Sequence, residues 1–159
     1  MIPENHAEND YIEMRIGAHP EYLCLARLLV RKLGEMVGLR EKDVDSVALA
    51  VDEAMANVIR HDYGGPCGDP ILLRLGKRRG SGDADDALEI IVRDFGRQVD
   101  PATIKSRDLD EVRPGGMGVH IIQSIMEKVE YSCPIDGGMQ LRMAKYIRSE
   151  TPNDAACKP

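Results

Sequence analysis

Residues 47–65, VALAVDEAMANVIRHDYGG, decide how this chain is read. Val44, Val47, Ala48, Val51, Met55, Val58 and Ile59 recur with helical period and make an apolar stripe. Glu53 and Asn57 stand almost opposite that stripe and four residues apart, so both side chains leave one side of a helix about a turn from each other. An ordinary amphipathic helix also puts Glu and Asn on its wet face, so the pair alone carries no function. As a pair it has a chemistry nonetheless. A carboxylate can accept a proton, and a carboxamide oxygen suits a hard cation such as Mg²⁺, which takes few protein groups together with phosphates and water. The helix is expected from about Glu41 to His61, where His-Asp-Tyr-Gly-Gly-Pro supplies stop signals, with a loop over Asp62 to Pro70.

Two glycine-bearing loops follow. Leu88 to Arg93, LEIIVR, is a short branched apolar run that predicts a buried strand, and it ends in Asp94-Phe95-Gly96. A carboxylate there can accept from an exocyclic amine while the glycine lets the backbone approach a flat ring. Further on, Arg113-Pro114-Gly115-Gly116-Met117-Gly118-Val119 runs straight into an apolar helical pattern of Val119, Ile121, Ile122, Ile125 and Met126. A glycine turn that opens a helix presents unpaired N–H groups and the positive end of the dipole, which favours phosphate. Either loop alone is a common connection.

Their order is far less common than the parts. A helix with E-x-x-x-N, a strand ending in D-x-G, a linker, and G-x-G opening a helix resemble the Bergerat-type nucleotide fold of the gyrase, heat-shock 90, histidine kinase and MutL superfamily. More narrowly, DEAMANVIRHDYGG, RDFGRQVDP and GGMGVHIIQSIMEKVEY resemble the anti-sigma-factor serine/threonine kinases, the stand-alone branch of that superfamily. The likeness spans roughly residues 11–148 and implies one ATPase domain there, with flexible tails at 1–10 and 149–159. It implies an α+β fold: a two-layer α/β sandwich with a mixed, mostly antiparallel sheet and helices on one face.

The same resemblance assigns roles. Glu53 stands where the family has its general base and Asn57 where it has its Mg²⁺ ligand. Asp94 would accept from the adenine amino group and Gly96 would let the chain turn beside the base. Gly116 and Gly118 would give N–H groups to the phosphates of ATP, with Gly115 extending the turn. Arg113 is the candidate lid cation, although the family's arginine sits one residue closer to the glycines, where this chain has Pro114; Arg97 is the second candidate. Gln98 departs from the family, which often has glycine or proline there. His61 reads as a helix C-terminal cap, His120 as packing and Met117 as an apolar lid contact. The activity implied is an ATP-dependent serine/threonine kinase and anti-sigma factor. It would hold an alternative sigma factor and phosphorylate an antagonist of the sulfate-transporter and anti-sigma-antagonist (STAS) fold, as a homodimer. The alternative is a nucleotide-gated binder of the same fold that transfers no phosphate.

Composition fits that class. The chain has 159 residues and 43% apolar content, enough for one domain with a core. A formal charge of −6 argues against a sequence-independent grip on nucleic acid. No apolar run reaches membrane-spanning length and the N-terminus lacks a secretory pattern, so the expected location is the cytoplasm. Cys24, Cys67, Cys133 and Cys157 show no metal or disulfide spacing and are expected as reduced thiols. Strands are expected at 11–17, 71–77, 87–94, 128–133 and 139–147, helices at 21–37, 41–61 and after Gly118, and a mobile polar stretch from Pro101 to Gly115, which the resemblance implies is the lid over the nucleotide.

Overall fold

Met14 and Ile16 alternate along strand β1 (Tyr11–Ala18) and pack against the core, while Ile12 nearer the strand's start is exposed, and the strand pairs antiparallel with β2 (Cys67–Arg78). The computed structural model describes residues 11–81, 85–104 and 117–148. A 3₁₀ turn at Pro20–Tyr22 leads into helix α1 (Leu23–Val37), which Gly38 closes in the left-handed conformation at φ 91°. Helix α2 (Glu41–Asn57) follows after Leu39 and Arg40. Strand β3 (Ala87–Arg93), helix α3 (Met117–Ile125) and strands β4 (Lys128–Ser132) and β5 (Gln140–Tyr146) complete the order.

The sheet runs β1-β2-β3-β5-β4, and every pairing among the described residues is antiparallel. No parallel pair of a mixed sheet occurs there: β3 and β4, joined through α3, run the same way, but β5 lies between them and pairs antiparallel with both. Alternation in register sets the two faces. Ile71, Leu73, Leu75, Leu88, Ile90, Val92, Leu141 and Met143 point inward and are buried beneath the α2 stripe of Val44, Val47, Ala48, Val51 and Met55. The opposite face carries ion pairs across the strands, Arg74 with Glu13 and Arg142 with Glu89. This is the two-layer α+β arrangement expected, with the three helices on one side.

Two local expectations are corrected. The second helix does not run to His61 in α form: at Asn57 it widens into a π turn, Val58–Asp62, which rotates the residues beyond Asn57 relative to a regular helix. The loop expected over Asp62 to Pro70 is shorter, because β2 already begins at Cys67, where it pairs with Ala18 across a register shift. Among the described residues no helix is long and apolar enough to cross a membrane.

Candidate functional site

Helices α2 and α3 meet at Gly118, close to the start of α3. A methyl group placed on Gly118 would lie 2.9 Å from Glu53 Oε2, 3.1 Å from Asn57 Nδ2 and 3.3 Å from Asn57 Oδ1. Only hydrogen fits between the α3 backbone and this pair, so the first and third sequence motifs share one contact. Glu53 keeps 27% of its side chain exposed and faces Arg60 Nη2 at 3.6 Å. A proton acceptor, a carboxamide oxygen and the positive end of a helix therefore lie together. Among the described residues no cluster of three His, Cys, Asp or Glu side chains forms a metal cage.

Beside this contact opens a cleft of about 240 Å³, walled by Ala54 and Asn57 from α2, Val92 and Asp94 at the end of β3, and Leu141 from β5. Asp94 is 1% exposed. Its Oδ1 accepts from the Gly96 N–H at 2.8 Å and from the Met139 N–H at 3.3 Å, while its own N–H donates to the Met139 carbonyl at 3.0 Å. Burial pushes the carboxyl up from its ordinary value, and those two N–H donors pull against the shift. Both bonds land on the same oxygen. Gly96 itself is pressed against the neighbouring wall, its Cβ position 2.9 Å from the Asp62 carbonyl oxygen.

The π turn brings one residue of the expected loop to the cleft and sets the next one against the Asp94 loop. Asp62 lines the cleft, and Tyr63 donates its hydroxyl to the Pro70 carbonyl at 2.6 Å while accepting from the Phe95 N–H at 2.9 Å. Burial first, then the Asp94 carboxylate, pushes Asp62 up to about 6, with Arg97 opposing. Burial and the same Asp62 raise the Tyr131 phenol to about 12. Because the folded value of Asp62 lies above the unfolded 3.8, its contribution to stability is complete below 3.8 and is lost as pH rises through about 6. Asp62→Asn should therefore raise the melting temperature above about pH 7, with the advantage shrinking to nothing near the unfolded value. Melting curves that differ from wild type equally at both ends would assign the effect to packing and not to charge.

Of the other predicted residues, Arg97 and His61 line the cleft, and His61 is exposed on the π turn. His120 is half-buried on α3 and Met117 is exposed. Arg113, Gly115 and Gly116 lie outside the described residues, as do most of the expected lid and Cys157. Cys24, Cys67 and Cys133 are free thiols. The sequence reading missed Asp62, Tyr63 and Met139. Nothing in the linear pattern signals Met139, whose bond to Asp94 spans 45 positions. Gln98, the departure from the resembled pattern, donates from Nε2 to the Pro134 carbonyl at 2.7 Å and so ties the Asp94 loop to the turn before β5.

The histidine kinase-like ATPase domain family matches residues 16–145. Among curated proteins the chain is similar to the serine-protein kinase RsbW of Bacillus velezensis, 30% identical over 150 residues that cover 89% of this chain and 88% of that one. It is similar to RsbW of Oceanobacillus iheyensis, 30% identical with 89% of each chain covered, and to RsbW of Bacillus subtilis, 29% identical with 89% and 88% covered. Among solved structures, the RsbU and RsbW domains of a Mycobacterium tuberculosis protein share the fold. The TM-score is 0.53 at 14% identity, and the match covers 89% of this chain and 35% of that chain.

Proposed function

The chain belongs to the histidine kinase-like ATPase domain family, in the branch of the serine-protein kinases RsbW, and from that premise we propose that it is an ATP-dependent protein serine/threonine kinase that acts as an anti-sigma factor. Residues 11–148 are its ATPase domain. Its substrate is a Ser or Thr hydroxyl on a STAS-fold antagonist, and its second partner is an alternative sigma factor, held in the cytoplasm by a homodimer. The observation that carries this reading is the contact at Gly118, which gathers Glu53, Asn57 and the start of α3 within 3.3 Å of one Cβ position.

That contact supports the roles that the resemblance implies for Glu53 and Asn57. The substrate hydroxyl attacks the terminal phosphorus of ATP, its proton passes to Glu53, and ADP leaves with the broken P–O bond. Asn57 Oδ1 would hold a Mg²⁺ ion, which would neutralise phosphate charge. The α3 backbone at Gly118, with Gly116 and Gly115 before it, receives the phosphates. Arg113 is the lid cation of this reading, with Arg97 second. At the other end, protein N–H groups already occupy Asp94 Oδ1, so Oδ2 is the oxygen that reads the adenine amine. Gly96 makes room for the ring.

Guanine lacks a donor at that ring position, so the purified protein should prefer ATP to GTP. Asp94→Asn removes a charge-assisted bond of about 1.5–3 kcal/mol and should weaken ATP binding by roughly tenfold or more. Titration calorimetry with Mg²⁺ measures both. Equal affinity for the two nucleotides would remove the adenine assignment.

A further inference from the structure

The turn between β4 and β5 is not a passive hairpin end. Residues 133–139 are zipped to the Asp94 loop along its length. Besides the Asp94–Met139 and Gln98–Pro134 bonds, the Val99 N–H points at Met139 Sδ at 3.4 Å and the Cys133 thiol at the Val99 carbonyl at 3.3 Å. Gly138, at φ 67°, allows the closest approach: its Cβ position overlaps the Asp94 carbonyl.

One side chain fastens this seam from behind. Arg93 belongs to the outward-facing row of the sheet, in register between Leu72 and Gln140, yet it is only 8% exposed. Its Nη1 donates to the Asp94 carbonyl at 3.1 Å and reaches the Met139 carbonyl at 3.5 Å. Its Nη2 donates to Asp136 Oδ1 at 2.7 Å, and the guanidinium lies over the Phe95 ring, 4.8 Å from the centroid. A planar fork is what this geometry requires, because one group must meet carbonyls of two different turns and a carboxylate at once. Lysine has the charge without the fork.

We propose that Arg93 is a positioning residue for base selection, locking the Asp94 turn against the β4–β5 turn from the far face of the sheet and thereby fixing the Asp94 carboxylate in the orientation that selects an adenine amine. This rests on the reading of Asp94 given above. Arg93 never touches the nucleotide. It holds the main chain of the residue that does, and it holds the partner turn whose Met139 N–H pins Asp94 Oδ1. Without it the turn keeps its covalent path but gains freedom, and the carboxylate spreads over orientations that an amine and a carbonyl on the base no longer distinguish.

The test is the preference for ATP over inosine triphosphate, which carries a carbonyl in place of the amine and leaves the phosphates unchanged. Wild type should prefer ATP by roughly tenfold or more, since the site's acceptor then faces another acceptor in inosine. In Arg93→Ala the preference should fall to about twofold, with affinity for inosine triphosphate moving less than about threefold, because the phosphate end is untouched. Arg93→Lys should sit between. Asp136→Asn, at a side chain 72% exposed and remote from the cleft, should also lower the preference, by about two- to threefold. In an Arg93→Ala, Asp94→Asn double variant the loss should not exceed that of Asp94→Asn alone, since both act through one carboxylate.

A folded Arg93→Ala protein that keeps the wild-type preference overturns the proposal while leaving Asp94 in place. If Arg93→Ala does not fold, unchanged preference in both Arg93→Lys and Asp136→Asn overturns it, and a graded loss supports it. Absence of any preference in wild type is a different failure: it removes the role of Asp94 on which the proposal stands. A purely structural Arg93 would lower the melting temperature and leave the preference intact.

Discussion

Glu53→Gln should bind ATP as wild type does and transfer phosphate to a cognate STAS antagonist about 10²–10⁴-fold more slowly, the usual range for loss of a general base. Glutamine keeps the length of the side chain and an oxygen at its end, so the packing against Gly118, where a methyl would lie 2.9 Å from Oε2, is preserved. What disappears is the ability to take a proton. The variant also loses the ion pair with Arg60, but at 3.6 Å and with Arg60 59% exposed that contact is worth at most about 1 kcal/mol, far short of such a loss in rate. Single-turnover transfer from radiolabelled ATP, beside calorimetric binding, separates the two quantities. A variant with the wild-type rate would place the base elsewhere. Should wild type itself leave every candidate antagonist unphosphorylated, the protein is better described as a nucleotide-gated binder.

Much of this arrangement was legible in the chain because it is local. Glu53 and Asn57 advertise themselves by helical spacing, the buried strand before Asp94 by its branched run, and the start of α3 by glycines ahead of an apolar period. Each element of the sheet and each helix follows from periodicity. The parts that escaped are those in which two distant segments share a contact. The π turn after Asn57 has the same residue pattern as one more turn of α-helix, so sequence alone runs the helix on to His61 and leaves Asp62 outside the cleft. The contacts of Met139 and of Gln98 were unreadable for a related reason: their partners, Asp94 and Pro134, lie tens of positions away along the chain. By local pattern Asp136-Gly137-Gly138 is an ordinary turn between two strands. Its second duty, bracing the Asp94 loop, depends on the β3–β5 pairing that no local rule supplies.

That second duty makes Gly138→Ala the substitution with the largest expected effect on the fold near the cleft. The residue holds φ at 67°, where a Cβ costs about 1–2 kcal/mol. The new methyl would also overlap the Asp94 carbonyl oxygen and lie 2.7 Å from the Asp94 carbonyl carbon and from Phe95 Cα. These are main-chain atoms, which cannot rotate away as a side-chain end can. Relief requires the two turns to separate, and separation breaks the Asp94 N–H bond to the Met139 carbonyl at 3.0 Å and the Met139 N–H bond to Asp94 Oδ1. Each buried group left unpaired costs about 1–3 kcal/mol, so the sum is on the order of 4 kcal/mol, a large share of the 5–15 kcal/mol that typically holds a domain of this kind. The melting temperature should fall by several degrees or more, roughly 2–4 °C for each kcal/mol at this size. ATP affinity should fall with it even at temperatures where the protein remains folded, because the carboxylate loses its brace. Gly137→Ala is the control: its φ of 98° makes it strained as well, but nothing lies within 4 Å of its Cβ position, so it should cost only the backbone strain and leave ATP affinity unchanged. If the two variants melt alike and bind ATP alike, the turn does not brace the site, and the orientation of Asp94 is set by β3 and Gly96 alone.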